Sequence, residues 1–291
     1  MEFLSTLISG LSLGSIYALI ALGYTMVYGI AKMLNFAHGD IIMVAAFTVY
    51  VFATILKLPV AATIPLSVLV CMTLGVTIER IAYKPLRKAP PLSVLITAIG
   101  VSYFLQNLAL LIFGSNQKSF PKIINIPALK LGGLTIKGES IATLSVSIII
   151  MLALTMFISR SKMGKAMRAV SEDKEAAELM GINVNQTISV TFAIGSALAV
   201  AAGVFYGATY NFIGPYTGSM PCIKAFVAAV FGGIGSIPGA MLGGILLGVI
   251  ENLSKAYIST ELSDAIVFAV LIIILYVKPT GLLGKTVREK V

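Results

Sequence analysis

Nine long apolar runs follow one another along this chain with only short polar connections between them, and that pattern decides what it can become. The runs are Thr6–Tyr28, Ile41–Leu56, Val60–Ile78, Leu92–Phe113, Ile141–Ser159, Thr187–Tyr210, Pro221–Phe231, Ile237–Leu253 and Ser263–Val277. A helical span needs about 20 apolar residues to cross a ~30 Å hydrocarbon layer, so most of the runs qualify. Only 11% of the 291 residues are charged and 58% are hydrophobic, where soluble domains carry roughly a quarter charged. A transmembrane β-barrel would show weak alternation of period two instead of unbroken runs. The expectation is an all-α, polytopic transmembrane helical bundle with about eight to ten spanning or partly spanning helices. Pro221–Phe231 is too short to cross alone and reads as a half-helix or re-entrant piece. The first run has no basic segment before it and no small-residue cleavage site after it, so it is expected to be retained as a helix.

Charge sets the expected orientation. Loops 79–91 and 160–186, the tail from Lys278 onward, and Lys32 together hold 14 of the 21 basic residues. The positive-inside rule places them in the cytoplasm, with the N-terminus outside and the C-terminus inside. The net charge of +9 is thereby read as topology and attraction to anionic lipid, and no nucleic-acid partner is expected. The connection 114–140 carries Lys118, Lys122, Lys130 and Lys137, yet must lie outside for the count to alternate. Within it, two polar-apolar arms around Gly132-Gly133 predict a short hairpin. No connection reaches thirty residues, which leaves no room for an ATPase or catalytic domain; one domain, 1–291, is expected. Cys71 and Cys222 sit in apolar sequence without metal-ligand spacing and read as small hydrophobes.

Two enzyme-like patterns fail on context. Gly10-Leu11-Ser12-Leu13-Gly14 copies the nucleophile elbow, which requires a strand-to-helix turn and a triad histidine; here it lies inside a span, and His38 is the chain's one histidine. Gly10 and Gly14 read better as a small-residue packing face. Gly284-Lys285-Thr286 imitates the end of a phosphate-binding loop, but Pro279 stands where the first glycine belongs. Neither catalysis nor ATP binding is expected of this chain, and no cofactor or metal.

Three interruptions remain. The charged stretch Gly164–Asn183 contains Glu175-Ala176-Ala177 and Gly181, spaced E-A-A-x-x-x-G. Ser171 is suited to cap a helix whose first turn carries Glu172, Asp173 and Glu175, and Met180-Gly181 suits its end. This predicts a short surface helix, Ser171–Met180, on the aqueous side, shaped for a soluble partner. Asn35–Asp40 packs Asn35, His38 and Asp40 between apolar runs with scarcely any loop. It reads either as a tight turn capped by Asn35 or Asp40, or as a discontinuous helix lining a path. Gly232-Gly233-Ile234-Gly235-Ser236-Ile237-Pro238-Gly239 is a second break, and Gly243, Gly244 and Gly248 continue it as a close-packing face. Interrupted segments in both halves point to a transporter pathway. Gln106 and Asn107 are deep polar groups, either interhelical glue or part of that path. Asn35, His38, Asp40, Asn107, Gly232, Gly233 and Gly235 are the candidate pathway. Lys224 and the Glu251/Lys255 pair are expected near helix ends, where they can snorkel or pair at i,i+4, and a chain of buried carboxylates suited to ion coupling is not evident.

The sequence resembles the permeases of bacterial branched-chain amino acid ABC importers of the high-affinity leucine/isoleucine/valine type. The resemblance spans essentially the whole chain. It rests on GLSLGSIYALIALGYTMVYGI at Gly10–Ile30, NFAHGD at Asn35–Asp40, GKAMRAVSEDKEAAELMGIN at Gly164–Asn183 and FGGIGSIPGAMLGG at Phe231–Gly244. It implies two ATPase subunits, a second similar permease subunit, an extracytoplasmic binding protein that delivers substrate, and residence in the bacterial inner membrane. It also implies that Ser171–Met180 is a coupling helix seated on an ATPase, with Glu175, Ala176, Ala177 and Gly181 at its signature positions, Ser171 at its start and Arg168 flanking. Similar permeases for urea and short amides share these motifs, so those substrates stay open, as does an ion-coupled carrier.

Overall fold

The computed structural model describes residues 2–87, 89–131 and 134–284. Lys88, the Gly132-Gly133 turn and the tail residues Lys285, Arg288 and Lys290 therefore lie outside the described residues. Eleven α-helices form the described fold: α1 (Glu2–Ala31), α2 (His38–Tyr50), α3 (Val60–Ile78), α4 (Pro91–Phe113), α5 (Gly138–Arg160), α6 (Lys162–Glu172), α7 (Lys174–Leu179), α8 (Val184–Tyr210), α9 (Ser219–Gly232), α10 (Ile237–Tyr257) and α11 (Ser263–Val277). Seven helical stretches are long and apolar enough to cross a bilayer: α1, α2 with its π-turn to Ile55, α3 with its extension to Leu86, α4, α5, α8 and α10. α9 and α11, with 14 and 15 residues, are shorter. The sequence boundaries hold to within a few residues, and the short run Pro221–Phe231 is indeed a short helix.

α1 is the central post. It is buried almost without interruption from Gly10 to Ala31 and touches α5, α6, α8, α9 and α10. A helix apolar all round can be buried all round, which explains its weak amphipathicity. Its closest partner is α10, which runs antiparallel. A Cβ on Gly14 would lie 2.5 Å from the Ile245 carbonyl oxygen, and one on Gly10 would lie 3.0 Å from the Val249 Cα. Gly244 and Gly248 face Ala18 and Gly14 in return. Small residues let the two backbones approach, and in lipid such approach stabilises by dispersion where hydrophobic exclusion cannot. The reading of Gly10 and Gly14 as a packing face is correct.

The two arms of the expected hairpin do pair: β2 (Leu129–Leu131) lies antiparallel to β3 (Leu134–Ile136). A second, unforeseen ribbon joins β1 (Lys118–Ser119) to β4 (Phe212–Ile213) at the end of α8.

Two regions depart from the sequence reading. Loop 79–91 is not wholly a polar connection. α3 runs on through a π-turn at Glu79–Tyr83 and a tight turn at Lys84–Leu86. The reason is Glu79, which is fully buried and accepts from the Arg87 guanidinium and from Ser189 Oγ at 2.6 Å. Arg87 also donates to Asn185 at the start of α8. The second departure concerns Lys224 and Glu251, which are buried in the bundle, although the expected i,i+4 pair of Glu251 with Lys255 does form. Glu251 is fully buried and accepts from Lys224 (2.8 Å), Lys255 (2.5 Å) and the Tyr17 hydroxyl (2.9 Å). Lys224 also pairs with Asp264 at 2.7 Å. The network joins α1, α9, α10 and α11.

Candidate functional site: a re-entrant break and a surface helix

After Ala31 the chain turns at the exposed Lys32 and passes back among the helices. Lys32 takes a left-handed conformation (φ 58), and an irregular segment re-enters the bundle to start α2 at His38. The imidazole of His38 lies against Gly23, where a Cβ would come within 2.7 Å of Nε2. Gly23 is eight residues before the end of α1, about 12 Å back along the axis at 1.5 Å per residue. α2 therefore begins well inside the bundle. The structure shows the interruption between α1 and α2 itself, without the side-chain cap that the tight-turn reading expected. Neither Asn35 nor Asp40 caps α2 with its side chain; the N-cap position is Ala37.

Asn35 and Asp40 instead have partners on other helices, while the buried His38 Nε2 has none among the described residues. Asn35 Oδ1 accepts from the Tyr83 hydroxyl at 2.9 Å. Asp40 Oδ1 accepts from Gln106 Nε2 at 2.9 Å, and that nitrogen also lies 3.2 Å from Ser102 Oγ and 3.3 Å from Ser219 Oγ. All of Asn35, His38 and Asp40 are buried. Irregular backbone at membrane depth persists only where its polar groups are satisfied, and here the His38 N–H donates to the Asn35 carbonyl and the Asp40 and Ile41 N–H groups to the Ala37 carbonyl. Tyr83→Phe is expected to leave Asn35 Oδ1 without its donor while keeping the ring against Phe192. The expected loss is about 1–3 kcal/mol of stability, read as a lower Tm of the detergent-purified chain.

α9 meets α2 at this depth. It follows α8 by way of Asn211, which is left-handed (φ 63), and the residues to Gly218. A Cβ on Gly39 would lie 2.6 Å from the Gly218 carbonyl oxygen and 2.7 Å from the Cys222 Cβ. The first turns of α2 and α9 thus abut, each following a long helix and an irregular segment. A long helix, a break and a shorter helix occur twice along the chain, and the second break ends at this junction. Ser219 and Gly218, which belong to it, escaped the sequence reading. The signal was there in the Gly214-Pro215 and Gly218 punctuation between two apolar runs.

The remaining pathway candidates lie elsewhere. Asn107 is exposed on the outer side of α4 and donates to its own helix at Tyr103 (2.7 Å); Gln106 is the inward member of the pair. Gly232, Gly233 and Gly235 form the turn between α9 and α10, not a mid-bundle break. Gly233 (φ 109) and Gly235 (φ 87) require glycine there. Leu282 and Leu283 of the tail donate to the Phe231 and Gly232 carbonyls. This turn reaches Gly29 near the end of α1. It shares a cleft of about 640 Å3 with Thr25, Lys32, Arg168, Ser171 and Glu172. The structure so brings Gly235 beside Arg168 and Ser171 instead of beside Asn35 and Asp40.

The charged stretch forms two helices where one was expected. Ser171 is not an N-cap. It lies in the last turn of α6, and its hydroxyl donates to the Arg168 carbonyl. α6 persists that far because Gly164, Met167 and Val170, spaced three apart, pack on the bundle. Asp173 caps α7 instead, accepting from the Glu175 and Ala176 N–H groups at 2.9 and 3.0 Å. Gly181 (φ 81) closes the helix as expected. The two alanines face opposite ways: Ala177 is buried against the bundle, while Ala176 is exposed. Beside Ala176 stand Glu175, Glu178, Leu179 and Met180, the last two 89% and 83% exposed.

Buried acids are more numerous than the sequence reading allowed, since Asp40, Glu79 and Glu251 are all enclosed. Each is held by its own partners on different helices, an arrangement that ties helices together.

Seven helices long and apolar enough to cross a membrane, a junction inside the bundle where α2 meets the short α9, and a charged helix pair at one end define a polytopic membrane permease. The model of the family described as branched-chain amino acid transport system / permease component matches residues 6–275, and the chain belongs to that family. Among similar proteins, the high-affinity branched-chain amino acid transport system permease protein LivH of Salmonella typhimurium is 47% identical, with 100% of this chain and 98% of the relative aligned. LivH of Escherichia coli is 46% identical over the same shares. The permease protein BraD of Pseudomonas aeruginosa is 44% identical, again over 100% and 98%.

Proposed function

We propose that this chain is a membrane permease subunit of an ATP-binding-cassette importer that passes branched-chain amino acids across the bacterial inner membrane. An extracytoplasmic binding protein delivers the substrate, a second homologous permease completes the path, and two separate ATPase subunits supply the power. The N-terminus lies outside and the C-terminus in the cytoplasm, and residues 1–291 act as one permease domain. The printed names of the full-length relatives support the substrate class. The observation that carries the reading is the bare face of α7. Leu179 and Met180 are almost fully exposed beside Glu175 and Glu178, at the end of the bundle that also holds Lys32 and Arg168. Two large apolar side chains flanked by carboxylates form an anchor-and-rim surface for a soluble partner. Ala177 contributes from beneath by letting α7 lie close on the bundle, and Asp173 and Gly181 fix the two ends.

Asn35, His38 and Asp40, with Gln106 and Ser219, are proposed to line or gate the path where α2 and α9 meet. Asn107 is left outside this group.

The test is radiolabelled leucine uptake in cells carrying the full set of partners. Gly181→Asp forces a side chain into φ 81 and adds charge to the docking face. Uptake is expected to fall at least about tenfold with membrane abundance unchanged. Unchanged uptake would overturn the docking surface, and a wild type that takes up no leucine would overturn the substrate.

A further inference from the structure

We infer that Lys174 is a positioning residue that ties the motion of α7 to the re-entrant break by gripping the C-terminal carbonyl of α1. Its Nζ donates to the Ala31 carbonyl oxygen at 2.8 Å, across 143 positions of sequence. Ala31 is the last residue of α1, where carbonyl groups have no partner within the helix and the dipole is negative. The next residue, Lys32, swings left-handed into the segment whose Asn35 is pinned by Tyr83. One hydrogen bond therefore joins the helix offered to the ATPase with the hinge that launches α2.

The surroundings make this contact releasable. Lys174 is half-buried, and the charges facing it are those of Arg87 and Lys32, both cations. Burial first, then these two charges, hold its pKa below that of an ordinary lysine. Arg87 is itself anchored to Glu79 and Asn185, so it cannot move aside. The carbonyl attracts the ammonium while two like charges, the anchored one of Arg87 and that of Lys32, oppose it. Such a balance suits a part that must be pulled and let go in each cycle. A bond kept only for stability would gain from an anionic neighbour, and no ion pair to Lys174 occurs among the described residues.

The inference rests on the proposed docking of an ATPase at α7. The test uses the complete importer in proteoliposomes, with leucine uptake and ATP hydrolysis measured together. With Lys174→Met, binding-protein-stimulated hydrolysis is expected to stay within about twofold, while leucine moved per ATP falls at least about tenfold. Lys174→Arg keeps a donor of similar reach and is expected to restore the ratio to within about threefold. An unchanged ratio in Lys174→Met overturns the inference. So does a parallel fall of both activities with loss of ATPase from the purified complex, which would make Lys174 part of the docking surface alone. Gly181→Asp in the same assay separates the two levels: if it too leaves uptake intact, the ATPase docking at α7 fails as well.

Discussion

Glu251→Leu is expected to be among the most damaging single substitutions in this chain, costing about 3–5 kcal/mol. Glu251 is fully buried and holds two ammonium groups and a phenol hydroxyl drawn from three helices. Removing it leaves Lys224 and Lys255 facing each other with Asp264 as the remaining acid. Lys255 is partly exposed and can swing toward the interface, but the side chain of Lys224 is only 8% exposed and has nowhere to go. The expected readout is a sharp fall in the Tm of the detergent-purified chain.

The partners are not equivalent, and the asymmetry sharpens the test. Lys224→Met leaves Glu251 with Lys255 and Tyr17, and leaves Asp264 at 38% side-chain exposure, where water can take over. It should therefore cost less than Glu251→Leu. The double variant Lys224→Met/Glu251→Leu should recover about 0.5–3 kcal/mol relative to the sum of the single changes. A double variant no better than that sum would show that the charges do not act as one unit. The pairing also explains why the network was hard to read in advance. Lys224, Glu251 and Lys255 are 27 and four residues apart in sequence, and only the crossing of α9 on α10 brings the first to the others.

How far the sequence carried the reading depends on what lipid does to a pattern. Span positions came through because length and apolarity alone set them. The ends of α7 came through in part. Gly181 is a stop in any context, but Ser171 and Asp173 are both good caps, and the Gly164, Met167 and Val170 stripe decides between them by carrying α6 past Ser171. The choice between Gln106 and Asn107 failed for a different reason. In water an exposed helix face is polar, and periodicity reveals the inside. In a bilayer the outer face is as apolar as the core, so the 100° that separates neighbouring residues leaves no trace in composition. Ile96, Tyr103 and Leu111 on the outside of α4 are as apolar as Val94 and Leu105 within. Glycine was ambiguous in the same way. The dense run Gly232–Gly239 drew attention as a break, whereas the break that meets α2 is marked only by Gly214, Pro215 and Gly218. Composition shows that the chain must bend; what each bend touches is a matter of three-dimensional packing.

That distinction leads to the second large effect, at Gly39. A side chain there would meet the Gly218 carbonyl oxygen at 2.6 Å and Cys222 Cβ at 2.7 Å. Neither is the loose end of a flexible side chain, so the strain must be met by separating α2 from α9. Gly39→Val is expected to lower leucine uptake more than about tenfold and to destabilise by at least about 1–3 kcal/mol. Separation would also pull Asp40 from Gln106 and Gln106 from Ser219, which couples the packing defect to the polar cluster of the break. The matched control is Gly100→Ala on α4, where an added Cβ meets nothing within 4 Å. That change should leave uptake within about twofold, and helix propensity should raise stability by about 0.5–1 kcal/mol. If Gly39→Val supports normal uptake, the contact between α2 and α9 is not needed for transport and the path lies elsewhere. If Gly39→Val keeps its abundance and loses uptake while Gly100→Ala is silent, the junction of α2 and α9 is where substrate passage is controlled.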